Sequence, residues 1–159
     1  MRVAIAGPSK LKSLEKRNPE AISLIKGWLS AQLDALLLKN ESVVAATSLH
    51  LGLDTYFAAL CRHKGIPYTV FLSCDDQDKF WDEENREFFA HLLEEAEEVI
   101  KVTEGGYSQG CIKKQSNAIT EWLREEDSRL LLVKNKKLSQ SQTERKQLLN
   151  NSQIIIYKV

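Results

Sequence analysis

Short, nearly unbroken runs of Val, Ile, Leu and Ala recur through this chain, at residues 2–6, 43–46, 68–72, 98–102, 129–133 and 153–157. Most do not alternate apolar with polar residues, as a strand with one wet face would. A short run that is apolar throughout suits a strand buried on both faces, which is the condition of a parallel sheet covered by helices. Helical patterns fill the intervals. Asn18-Pro19-Glu20 is a start signal, with Asn as N-cap, Pro at the first helical position and an acid behind it. Ile22, Ile25, Leu29, Leu33 and Leu36 then mark one apolar face. A second helix is predicted from about Leu53 to His63, closed by Gly65. A third carries Phe88, Phe89, Leu92, Leu93 and Ala96, and a fourth carries Ile112, Ile119, Trp122 and Leu123. A short fifth is predicted over 143–150, where Ser141 and Glu144 form a capping box. Strands alternating with helices imply right-handed crossovers. The expected fold is therefore α/β, a single Rossmann-like three-layer sandwich over 1–159, with a mostly parallel sheet of about six strands.

Composition narrows the function. The 159 residues suit one domain, and 43% are hydrophobic, enough for a full core. Lys+Arg and Asp+Glu both number 22. A zero net charge argues against a nucleic-acid binder that works by bulk electrostatics. Cys61, Cys74 and Cys111 have no paired spacing and read as reduced thiols. His50, His63 and His91 form no metal-ligand pattern with them, so neither a metal nor a cofactor is expected. No unbroken apolar run approaches the roughly 18 residues of a membrane span, and no signal peptide opens the chain. The expectation is a cytoplasmic protein, from a bacterium or a phage, with no membrane partner.

In open α/β sheets, ligands bind outside the carboxyl ends of the strands. That directs attention to the loops at 7–10, 47–55, 73–81, 103–115 and 134–143. Gly7-Pro8-Ser9-Lys10 follows the first strand. Its glycine allows a tight turn, Ser9 can donate to a phosphate oxygen, and Lys10 adds positive charge. The same residues also suit an ordinary βα turn. Neither the dinucleotide fingerprint nor the P-loop is present. After the second strand, Ser48 to Thr55 turns into a helix whose first-turn amides and dipole can meet an anion. Gly52 can shape a pocket floor and Asp54 can bond a ribose hydroxyl; equally, Asp54 and Thr55 can simply favour the helix start. Asp75 and Asp76 can bind a metal, act as acid and base, or hold a loop. Trp81 can stack on a base or close the core. Lys114 and Asn117, three apart on one helix face, suit a phosphate or a base edge, with Tyr107 in the glycine-containing loop before them.

In order along the chain stand Val3-Ala4-Ile5-Ala6-Gly7, the turn from Ser48 to Asp54, and Gly65-Ile66-Pro67-Tyr68. These are followed by Gln77 and Trp81, then Tyr107 with Lys114 and Asn117. Taken together they resemble the SLOG superfamily over residues 1–135. That group includes the lonely-guy phosphoribohydrolases and the Rossmann-like domain of the DNA-processing protein DprA. The likeness is nearest to its YpsA-like branch, with its Gln-x-x-x-Trp and Tyr…Lys-x-x-Asn patterns. The resemblance implies a nucleotide or nucleotide-derived ligand above the sheet and a homo-oligomer such as a homodimer. It makes Gly7, Ser9, Gly52, Asp54, Gln77, Trp81, Tyr107, Lys114 and Asn117 the pocket candidates, and Lys10 and Thr55, from the two turns, are expected to bind beside them.

Two departures shape the functional expectation. The phosphoribohydrolases carry Pro-Gly-Gly-x-Gly-Thr-x-x-Glu after their penultimate strand. At the comparable place this chain reads Lys136-Lys137-Leu138-Ser139-Gln140-Ser141-Gln142-Thr143-Glu144-Arg145-Lys146, with no glycine. The opening turn also has Pro8-Ser9-Lys10 where the YpsA-like branch commonly has His-Arg. The leading expectation is thus a non-catalytic binder of a nucleotide-like small molecule, a sensor or a sequestering protein. The alternatives are an enzyme that cleaves N-glycosidic bonds, with Asp54 or Asp76 as its acid, and a single-stranded DNA-binding module.

Overall fold

The computed structural model describes residues 1–8, 18–125, 127–134 and 154–158. Six strands form one sheet: β1 (Arg2–Ala6), β2 (Val44–Thr47), β3 (Tyr68–Leu72), β4 (Glu98–Lys101), β5 (Ser128–Lys134) and β6 (Ile154–Lys158). Four helices are described: α1 (Pro19–Lys39), α2 (Leu53–His63), α3 (Glu83–Glu94) and α4 (Cys111–Arg124). The strand order is β4-β3-β2-β1-β5-β6, and every neighbouring pair is parallel. The expected α/β sandwich is present, and its sheet is parallel throughout. The helix expected over 143–150, with its capping box, lies outside the described residues.

The apolar runs behave as a two-sided sheet requires, because alternate residues of each strand serve opposite cores. Val3, Ile5, Ala45, Tyr68, Val70, Leu131 and Val133 meet α1, α2 and α3 on one face. Ala4, Ala6, Ala46, Phe71, Leu130 and Leu132 meet Ile119 and Leu123 of α4 on the other. Each fully buried Leu, Ile or Phe contributes roughly 1.5–3 kcal/mol through burial, and the polar residues that the interior strands do bury, Thr47, Thr69 and Ser128, are all small. The edge strand β4 differs. Glu98, Val99 and Lys101 are exposed, and a charged edge discourages pairing with another sheet.

The topology follows from handedness. The chain walks from β1 to β4 with its helices on one face. It then crosses by α4, on the opposite face, to β5 beyond β1. The direction of winding therefore reverses between β1 and β5, which is where open α/β sheets form their ligand crevice.

α1 is the longest helix, and Ala21, Ile25, Leu29, Leu33 and Leu36 bury one of its faces. By length and composition alone it is apolar enough to cross a membrane. Lys26 and Asp34 interrupt it, so no unbroken apolar stretch marks it in the sequence. Its last turn is closed by Asn40, whose side-chain amide donates to the Leu36 carbonyl at 2.8 Å.

Candidate functional site

The carboxyl ends of β1, β2 and β3 and the first turns of α2 and α4 converge on one region of the sheet. Gly7 leaves β1 at its edge. A Cβ there would lie 2.1 Å from Leu53 Cδ2 and 3.2 Å from Val133 Cβ. A side chain there would have to displace the Leu53 side chain and press on Val133, so glycine lets α2 and β5 close tightly around the end of β1. Ser9 and Lys10, also expected here, lie outside the described residues.

The β2–α2 corner is the most elaborated part. Leu49, buried, takes a positive φ of 50°, and Gly52 has φ 116° and ψ −116°, a conformation open only to glycine. The Thr55 hydroxyl accepts the Gly52 N–H at 3.2 Å and donates to the Gly52 carbonyl at 3.0 Å. The Thr55 N–H reaches the His50 carbonyl at 3.4 Å. The amides of Leu53 and Asp54 remain as first-turn donors without intrahelical partners. Ser48, buried, donates its hydroxyl to Asp54 Oδ2 at 2.6 Å. Asp54 is half-buried, and among the described residues its Oδ1 has no hydrogen bond.

Two carboxamides tie this corner to the neighbouring strands. Gln77 Nε2 donates to the Ser48 carbonyl at 2.8 Å, and its Oε1 accepts from the Ser73 N–H and the Ser73 hydroxyl, both at 3.0 Å. Gln115, buried in the first turns of α4, donates to the carbonyls of Phe71 at 2.5 Å and Ser48 at 3.3 Å. It also donates to Gln77 Oε1 at 3.2 Å, and its own Oε1 meets His50 Nε2 at 2.8 Å.

The acids after β3 have loop partners. Asp75 pairs with Lys101 and accepts the Gly105 N–H at 2.8 Å. The Lys101 ammonium holds its carboxyl below the ordinary carboxylate range. Asp76 accepts the Tyr107 N–H at 2.9 Å and lies 3.8 Å from Lys79 Nζ. Both fasten the glycine-containing loop to the end of β3. Among the described residues no three His, Cys, Asp or Glu side chains gather to hold a metal. Cys74 is covered from solvent, and burial pushes its thiol pKa up, the opposite of what a nucleophile needs.

Of the residues expected to bind, Gly52, Asp54, Thr55 and Gln77 are drawn together through Ser48 and the corner backbone. Trp81 meets Phe89 edge-on, ring centres 5.2 Å apart, and packs against the core. Tyr107 is 71% exposed and joins through its backbone. Lys114 and Asn117 lie on the exposed side of α4.

Gln115, His50, Ser48 and Ser73 complete the region and were not among the expected binding residues. For Gln115 a signal exists: Cys111, Gln115, Ile119 and Leu123 recur every four residues, which puts a carboxamide in an apolar stripe. In comparisons with known proteins, no family model and no curated protein matches the chain.

Proposed function

We propose that this protein binds a nucleotide or nucleotide-derived small molecule above the carboxyl ends of β1–β3, without transforming it. The observation that carries the reading is the β2–α2 corner. Its first-turn amides and positive dipole end suit an anionic group. Beside them Asp54 keeps one carboxylate oxygen uncommitted, an acceptor for a ribose hydroxyl. The reversal of winding between β1 and β5 and the SLOG-like order of motifs favour the same region. The absence of glycine from 136–146 favours binding over phosphoribohydrolase chemistry.

A panel of AMP, ADP-ribose and cyclic dinucleotides, read by thermal shift and calorimetry, tests the proposal. Saturable binding that Asp54→Ala weakens at least tenfold is expected. Absence of binding by every member rejects it. Release of free base from AMP, abolished in Asp54→Asn, replaces it with the hydrolase reading.

A further inference from the structure

The Gln115 carboxamide dictates which nitrogen of His50 carries the proton. Its Nε2 faces the backbone carbonyls of Phe71 and Ser48, which can only accept. Turning the amide round would set oxygen against oxygen. Gln115 Oε1 therefore faces His50 and must accept, which places the hydrogen on His50 Nε2. Gln115 is 1% exposed, so water does not compete for this arrangement. In the neutral ring, His50 Nδ1 is then an acceptor. Among the described residues Nδ1 has no partner, and His50 is only half-buried.

Asp54 stands in the same turn with Oδ1 uncommitted, while the Ser48 hydroxyl hydrogen is spent on Oδ2. The two side chains thus present acceptors and no donor. The positive end of α2 offsets the Asp54 charge, which favours neutral donors over a cation. No metal-holding group competes among the described residues. Hydroxyl donors complement both acceptors.

We infer that His50 and Asp54 together select a ligand with a free vicinal diol, His50 Nδ1 accepting one hydroxyl and Asp54 Oδ1 the other. The inference rests on the nucleotide reading, in which the diol is the ribose 2′,3′ pair. His50 is then a specificity-determining residue of the site.

Two measurements on the full chain test it. In long-range proton–nitrogen spectra of nitrogen-15-labelled protein, His50 is expected in a single Nε2–H form, with its signals assigned through His50→Phe. Gln115→Leu is expected to mix the two forms. A proton on Nδ1 in the unaltered protein overturns the inference whatever ligand binds. Calorimetry then compares AMP with its 2′-deoxy and 3′-deoxy analogues. Loss of either hydroxyl is expected to weaken binding about five- to tenfold. His50→Phe should abolish the preference at one hydroxyl and keep it at the other. Equal affinity for all three nucleotides overturns the inference and leaves the nucleotide reading standing. So does preferential binding of a 3′,5′-cyclic dinucleotide, which has no vicinal diol. Binding of none of these probes removes both.

Discussion

The hydroxyl of Ser48, at the end of β2, lies 2.6 Å from the carboxylate of Asp54, in the first turn of α2. The bond spans the corner and holds one carboxylate oxygen while the other stays uncommitted. A hydrogen bond to a charged group contributes about 1.5–3 kcal/mol. Ser48→Ala is expected to lower the unfolding free energy by about that much in urea titration. In the background of Asp54→Ala the same change should cost less than about 1 kcal/mol. Equal costs in both backgrounds would show that the bond contributes nothing.

Gln115 is a buried hub whose removal deprives one acceptor and one donor of a partner. Gln115→Leu leaves the Phe71 carbonyl without its amide donor and His50 Nε2 without an acceptor. An unsatisfied buried polar group costs about 1–3 kcal/mol, so a loss of about 2–4 kcal/mol is expected by chemical denaturation. A neutral outcome would show that the cluster is easily rehydrated.

Two glycines should respond in opposite ways to alanine. At Gly7 the new methyl meets Leu53 at 2.1 Å, and overpacking of this kind costs about 1–3 kcal/mol. At Gly27, on the exposed side of α1, a Cβ meets nothing within 4 Å. Gly27→Ala should stabilise by about 0.5–1 kcal/mol through helix propensity. Thermal melts of the two variants should move to opposite sides of the unaltered protein.

The Asp75–Lys101 pair sets a pH window for the loop it fastens. Its hydrogen bond holds the Asp75 carboxyl below the ordinary 3.8 and the Lys101 ammonium above the ordinary 10.5. A lowered carboxyl stabilises above its ordinary value and loses that contribution as pH falls through the lowered one. A raised ammonium stabilises below its ordinary value and loses that contribution as pH rises through the raised one. The lock is therefore complete from about pH 4 to about pH 10. The Gly105 amide shift should titrate with a midpoint below 3.8, and Lys101→Ala should move that midpoint up. A midpoint at or above 3.8 in the unaltered protein would exclude the lock.

Cys61 is fully buried, and that burial pushes its thiol up to about 12. Cys74 and Cys111 are buried as well. Iodoacetamide at pH 8 should label none of the three within minutes in the folded protein and all of them in guanidinium, as read by intact mass.

The architecture was legible because a parallel sheet imposes its requirement on every residue of a strand. β1 and β3 follow the apolar runs at both ends, whereas β2 begins one residue later than its run. Val43 is buried ahead of the first paired residue, so burial alone misplaces that end. The Leu53–His63 helix was readable from its glycines and its apolar period. Within the site, Gly52, Asp54 and Thr55 were legible through the chemistry of a helix start. Gln115 was legible only through its four-residue stripe with Cys111, Ile119 and Leu123, a signal masked by the polar run Lys113-Lys114-Gln115-Ser116-Asn117 around it. Adjacent helical positions differ by about 100°, so the residue that reaches inward sits beside lysines that do not. Trp81 depended on Phe89, a partner from α3 that no local pattern announces. The changed loop at 136–146 lies outside the described residues.

The backbone of Gly52 carries a consequence of handedness. Reflected, φ 116° and ψ −116° become −116° and 116°, ordinary extended chain. The corner that presents Asp54 therefore follows, for one residue, the geometry of a mirror-image polypeptide. Every L-residue would strain that backbone, whereas a D-residue introduced by chemical synthesis would hold it without strain. The one achiral amino acid is what lets a natural chain make the turn.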